Sequence, residues 1–203
     1  MPRLTRAERQ EQTRAELLLA ARSRFLARGY AATSLDDIAD DAGFSKGAVY
    51  SNFGSKPNLC REVLASIHRE KLGEMSRLAG TDADLTARIA AVNDWLERTA
   101  GDVGWTMLEL EFVVLSRNNP ELGAMITALR ADAAQMVTAV LRTLADDLDP
   151  DTAASIDDFG NLLLSAGIGL GIQRAIDPSL STRPVADAIT RTMNLLAALG
   201  ASR

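Results

Sequence analysis

Residues 33–56 read TSLDDIADDAGFSKGAVYSNFGSK, and the rest of the chain is organised around them. Thr33 and Ser34 can both cap a helix. Asp37, three residues after Ser34, completes a capping-box-like arrangement with Asp in place of the commoner Glu. Leu35, Ile38, Ala39 and Ala42 then recur at helical spacing and give one apolar face over two short turns. Gly43 ends that helix, because glycine reaches the left-handed conformation at this position without strain. Phe44 follows as a hydrophobic plug, and Ser45 caps a second helix beginning at Lys46. That helix, KGAVYSNF, buries Val49 and Phe53 and leaves Lys46, Gly47, Ala48, Ser51 and Asn52 facing outward.

Two short helices joined by a tight glycine-containing turn make a helix-turn-helix. The outer side of the second helix is small and polar. Gly47 and Ala48 let the backbone approach a groove floor, and Lys46 and Asn52 offer hydrogen bonds, which suits a DNA major groove. A short helical hairpin in an ordinary all-α domain fits the same pattern.

The run Ile38-Ala39, Ala42-Gly43, Ser45, Gly47, Val49-Tyr50, Asn52-Phe53, Ser55-Lys56 and Leu59 closely resembles the N-terminal DNA-binding domain of the TetR family of bacterial transcriptional repressors. Val49 stands where that family has Leu or Ile, and Asn52 where it has His or Tyr. The resemblance implies a homodimer, a palindromic operator and a small-molecule effector. It also implies DNA contacts from Thr33, Ser34, Ser45, Lys46, Gly47, Ala48, Tyr50, Ser51, Asn52 and Lys56. Of these, Lys46, Gly47, Ala48, Ser51 and Asn52 are expected at base edges, and the other five at phosphates, which position without specifying.

Composition agrees with an all-α protein of 203 residues: 47% of them are hydrophobic, and no β-branched alternating runs are visible. The net charge of −5 is unevenly spread. Residues 1–56 carry nine Lys/Arg against seven Asp/Glu, and the remainder carries thirteen against twenty. The cationic end coincides with the helix-turn-helix, as phosphate binding requires. The single cysteine, Cys60, excludes an internal disulfide, and with the single histidine, His68, it cannot build a usual zinc site. His68 is expected as a solvated surface residue. No secretory signal is evident before the first helix. The longest apolar run, Leu162 to Ile172, is too short to span a bilayer, so a cytoplasmic protein without a membrane partner is expected.

Outward from the motif, residues 1–12 read as a basic arm whose Arg3, Arg6 and Arg9 either reach DNA or stay in solvent. A first helix is expected over 13–28, with Leu17, Leu18, Ala21 and Phe25 inward. Gly29 stops it, and Tyr30 lies at the turn, where the resemblance expects an aromatic wedge. Ser55 caps a helix over 56–78, expected to turn Lys71 to water and to be the one continuous rigid element joining the basic and acidic parts. Further helices are expected over 83–100, 105–116, 121–148, 153–176 and 185–199, with a turn at Asp149-Pro150. The last carries Val185, Ile189, Met193, Leu196 and Leu199 as its stripe. Gly160, Gly167 and Gly171 fall within about 40° of one another on a helical wheel. Each costs roughly 1 kcal/mol relative to Ala, which suggests close helix approach, a ligand cavity or a distortion. The resemblance implies that the last two helices pair with those of a second subunit; an intramolecular core fits their apolar content too.

No catalytic constellation appears, since one His and one Cys leave almost no way to assemble a triad, and no metal or cofactor is expected. The carboxylates that invite attention are Glu109 and Glu111. Either pairs with a nearby Arg or lies at a solvated edge, while Glu109, near Trp105 and Phe112 on the wheel, could meet a cationic ligand. Candidate effector-lining residues are Trp95, Trp105, Glu109, Phe112, Met125 and Gln173, at spacings that core packing would also demand. The expected architecture is therefore all-α: a three-helix DNA-binding domain over 1–56 and, through a connecting helix, a larger ligand-binding and dimerisation domain over 57–203. The expected function is a repressor released from its operator by a small molecule. An activator of the same fold, or a helical ligand-binding enzyme, is the alternative.

Overall fold

The computed structural model describes residues 5–144 and 150–201. Nine α-helices occupy the described residues: α1 (Arg6–Arg28), α2 (Leu35–Ala42), α3 (Lys46–Phe53), α4 (Lys56–Ala79), α5 (Leu85–Thr99), α6 (Val103–Ser116), α7 (Pro120–Leu144), α8 (Pro150–Ile176) and α9 (Arg183–Ala201). The all-α expectation holds. Arg3 of the basic arm, and the expected end of the seventh helix and turn around Leu148 and Asp149, lie outside the described residues.

The helix ends follow from local chemistry. α1 begins seven residues earlier than expected, because Thr5 and Glu8 form a reciprocal capping box. Arg6 and Arg9 are therefore helical and not part of an irregular arm. Ser34 and Asp37 form the box that opens α2, and Ser45 accepts the Ala48 N–H to open α3. Gly43, at φ 73° and ψ 27°, is the left-handed residue between them, and its N–H donates back to the carbonyls of Ala39 and Asp40. A side chain there would be strained, so the angle between α2 and α3 depends on glycine.

The helices divide into two compact units. The first holds the described residues up to Ile67 together with Met107–Ile126, and the second holds His68–Thr106 and the residues from Thr127 onward. The division falls inside α4, α6 and α7, so three helices run through both units. In the first unit α1 packs on α2 and α2 on α3. Leu17, Ala21, Phe25, Ile38, Val49, Phe53, Leu59, Val63, Leu108 and Phe112 are buried there. Cys60 is buried as well, and burial pushes its thiol up to about 12.

The second unit has a core built from Leu72, Met75 and Ala79 of α4, Ile89, Val92 and Trp95 of α5, Ala133, Val140, Leu141 and Leu144 of α7, Ile156 and Leu163 of α8, and Ile189 and Met193 of α9. His68 is buried here, with its ring edge-on to Trp105 at 5.8 Å. Lys71 pairs with Asp102 at 3.0 Å and sits 4.9 Å from the centre of the Trp105 ring. Both were expected at the solvated face; Trp105, in the first turn of α6, covers them. α7 is long and apolar enough to cross a membrane by length and composition alone. Four of its residues nonetheless belong to this core, as the core helix of a globular unit requires.

The glycines of α8 have separate roles. A Cβ on Gly160 would stand 2.5 Å from Thr138 Oγ1 and 3.4 Å from its Cα, so α8 and α7 approach closely there. Gly167 and Gly169 face open space. Gly160→Leu is therefore expected to lower stability by about 1–3 kcal/mol through overpacking, read as a lower urea midpoint with an unchanged slope.

Candidate nucleic-acid interface

α3 presents its polar side outward, as its periodicity requires. Val49 and Phe53 are buried, while Ser45, Lys46, Gly47, Tyr50 and Ser51 are exposed, and Ala48 and Asn52 are partly so. Little stands above Gly47, whose Cβ position meets only the Ser45 hydroxyl at 3.6 Å. Ser51 donates to the Ala48 carbonyl at 3.0 Å, and the Asn52 amide nitrogen donates to the same carbonyl at 2.8 Å. Lys46 Nζ lies 2.7 Å from Asp36 Oδ2 of α2, and the bond to Asp36 raises the pKa of Lys46. Both groups are about half exposed, and exposed pairs of this kind are weak, so the ammonium can exchange Asp36 for another anion at small cost.

The expected phosphate contacts are placed less uniformly. Ser34 is exposed, but its hydroxyl is engaged with Asp37 at 2.8 Å and lowers that carboxyl's pKa. Thr33 is 2% exposed, and its hydroxyl donates to the Gly29 carbonyl at 2.8 Å. Lys56 Nζ sits 4.3 Å from the centre of the Tyr30 ring and 3.5 Å from the Ala31 carbonyl oxygen, and burial lowers its pKa. Tyr30 is the expected wedge: its ring stacks on Phe25 at 5.9 Å and meets Phe112 edge-on at 5.4 Å.

Two residues that hold this surface in place, Arg14 and Arg24, were not singled out from sequence. Arg14 donates to the Asn52 carbonyl at 2.7 Å, pairs with Glu62 and lies 4.5 Å over the Phe53 ring. One guanidinium thus ties α1 to the C-terminal end of α3 and to α4. Arg24 grips Asp41 through two hydrogen bonds and so fastens α1 to α2. Glu111 accepts from the backbone N–H groups of Tyr30 and Ala31, so it partners backbone amides where an Arg partner or solvent was expected. The partners lie from 17 to 81 residues apart, and no local pattern marks such pairs.

The expected effector residues fall in both units. Glu109, Phe112 and Met125 belong to the first, and Trp95, Trp105 and Gln173 to the second. Phe112 and Trp95 are buried, Trp105, Glu109 and Met125 are partly exposed, and Gln173 is exposed. The indole N–H groups of Trp95 and Trp105 are buried without an acceptor among the described residues, a state that costs free energy unless something else supplies one.

Residues 17–63 match the profile of the bacterial regulatory proteins of the tetR family. The N-terminal helix-turn-helix is similar to that of the TetR family. Similar stretches occur in the HTH-type transcriptional regulator TtgR of Pseudomonas putida, 46% identical over 34% of this chain and 32% of that protein. They occur also in the HTH-type transcriptional activator FasR of Mycolicibacterium smegmatis, 37% identical over 47% of this chain and 43% of that protein. The HTH-type transcriptional repressor KstR2 of Rhodococcus jostii is 34% identical over 39% of each chain. The matched stretch spans less than half the length of each of these relatives. Over nearly the whole chain the fold is similar to that of the fatty acid degradation regulator FadR from Bacillus halodurans, with a TM-score of 0.63 at 14% identity, covering 91% of this chain and 94% of that one. A transcriptional regulator from Rhodococcus sp. Rha1 gives 0.63 at 19% identity, covering 90% and 95%.

The placement of Thr33 has a measurable consequence. Thr33→Val, which keeps the shape and removes the hydroxyl, is expected to lower stability by about 1 kcal/mol by leaving the Gly29 carbonyl unpaired, as read from urea denaturation.

Proposed function

We propose that this protein is a sequence-specific DNA-binding transcriptional regulator that acts as a homodimer on a palindromic operator and is released by a small molecule. The observation that carries the proposal is α3 itself. It is a short helix held by Arg14 at one end and by the Gly43 turn at the other. It turns a cation, small residues and hydroxyls to solvent and buries only its inner face. A surface of this kind fits a major groove, where bidentate or charged contacts read base edges. Lys46, Gly47, Ala48, Ser51 and Asn52 are assigned to base edges. Ser34, Ser45, Tyr50 and Lys56 are assigned to phosphates, with Lys56 leaving the Tyr30 ring to do so, and Thr33 is assigned to holding the turn.

A second copy is supported by the outer faces of α8 and α9. Leu162 and Leu195 are each 61% exposed, Ile168 is also exposed, and the backbone at Gly167 and Gly169 is open to close approach. Large apolar side chains left in water are the raw material of an interaction site. The unpaired indole N–H groups of Trp95 and Trp105 favour an apolar effector that carries a hydrogen-bond acceptor. Residues 1–56 are assigned to DNA and 57–203 to effector and partner, in a cytoplasmic protein without catalytic, metal or membrane duties. Repression is preferred to activation because the motif resembles a family of repressors.

In selection from random duplexes, the protein is expected to enrich a two-fold symmetric site with half-sites about one helical turn apart or somewhat more. Lys46→Ala is expected to change the enriched bases; failure to enrich any symmetric site overturns the proposal. Gly167→Leu is expected to shift the protein toward monomer in light scattering without lowering the urea midpoint of the subunit. A normal dimer would remove that face from the assignment.

A further inference from the structure

We infer that Asp36 of α2 determines specificity together with Lys46 of α3, the two side chains reading one G·C base pair as a joined acceptor and donor. The inference rests on the assignment of α3 to the major groove made above and adds a residue of α2 to it. Lys46 Nζ lies 2.7 Å from Asp36 Oδ2. The side chains of Lys46 and Asp36 are 50% and 59% exposed. An ammonium has three N–H groups, and a carboxylate has two acceptor oxygens. The pair spends one N–H and one oxygen on itself, so donors and an acceptor remain side by side.

That pattern is complementary to one edge in the major groove. Guanine shows two acceptors there, N7 and O6, and its cytosine partner shows the N4 amino donor beside them. Lysine suits the two acceptors and aspartate suits the donor. An A·T pair places its donor between two acceptors, so a carboxylate at the outer place meets the thymine O4 or methyl group. A phosphate satisfies Lys46 but is repelled by Asp36. The joined pair therefore favours one base pair over another, and base edges over the backbone.

Local structure sets the pair in place. Asp36 is the second residue of α2 and Lys46 the first of α3, so both leave capped helix starts. The bend between the two helices is fixed by Gly43. The surface next to Lys46 is bare, since a Cβ on Gly47 would meet only the Ser45 hydroxyl within 4 Å. A base pair can therefore come up to both side chains. Charge points the same way. α2 and α3 carry four Asp and one Lys, so the hairpin by itself does not attract an unselected backbone. Asp37 and Asp41 are turned to Ser34 and Arg24, while Asp36 is turned to the reading helix. Exposed pairs add little to stability, so the fold does not require this one.

The test is selection from random duplexes with the full-length wild type, Asp36→Ala and Lys46→Ala. Affinities are then measured for the enriched duplex and for a mixed-sequence duplex at one salt concentration. The wild type is expected to enrich a G·C pair in each half-site that Lys46→Ala loses. Asp36→Ala is expected to relax the same pair, with discrimination against A·T there falling roughly fivefold. It is also expected to bind the mixed-sequence duplex about threefold more tightly, because a charge that repels phosphates is gone. The other positions of the site are expected to stay as in the wild type, which a displaced α3 would not allow. Asp36→Asn takes the place of the Ala variant if that does not fold. A site that Asp36→Ala leaves unchanged, one that it changes at all positions alike, or an A·T pair at the position lost in Lys46→Ala would overturn the inference and leave the regulatory reading standing. A wild type that enriches no site would overturn both.

Discussion

The five residues from Gly29 to Thr33 are the constraint on which the outer face of α2 and α3 depends. They contain no regular structure, yet their polar groups are used repeatedly. The Gly29 N–H caps α1 on Phe25, the Gly29 carbonyl takes the Thr33 hydroxyl, and the Tyr30 and Ala31 N–H groups go to Glu111. A turn with its donors and acceptors matched in this way has few alternative conformations, because each alternative leaves partly buried polar groups unpaired. The apolar side of the turn is equally determined, with the Tyr30 ring between Phe25 and Phe112. Everything that α2 and α3 present to solvent is referred to this turn.

From that base, the outer face of α3 is set by a short series of fixed links. Two capping boxes begin α1 and α2, Gly43 fixes the bend between α2 and α3, and Arg14 holds the far end of α3. Each link is worth about 1 kcal/mol or a little more taken alone. Together they hold an eight-residue helix that would be too short to persist in water. The face itself carries few strong anchors. Lys46 rests on Asp36 and Lys56 on Tyr30, and both are weak, replaceable partners. A surface that is rigid in its backbone and exchangeable in its cations can take up another anion without refolding.

The second unit is built differently. Its core is continuous across α4, α5, α7, α8 and α9, and its polar groups are satisfied less completely, with two indole N–H groups left without acceptors among the described residues.

The sequence by itself determined the helices and the motif. Caps, the Gly43 turn and apolar spacing are encoded within a few residues, so α2 and α3 were legible at their observed bounds. The outward face of α3 was legible for the same reason. The same local chemistry sets the start of α1, where Thr5 and Glu8 form a capping box of the same kind as Ser34 and Asp37. Tertiary structure decided what lies against each helix. His68 and Lys71 carry a solvated pattern in sequence and are covered by Trp105, 37 and 34 positions further on. Thr33 is buried although its type suits a phosphate, and Glu111 finds its partners in the backbone of a turn some 80 residues away. Periodicity records which side of a helix is apolar. It carries no record of which distant backbone amide, ring or carboxylate will be brought to that side, because packing selects the partner only after the helices have formed.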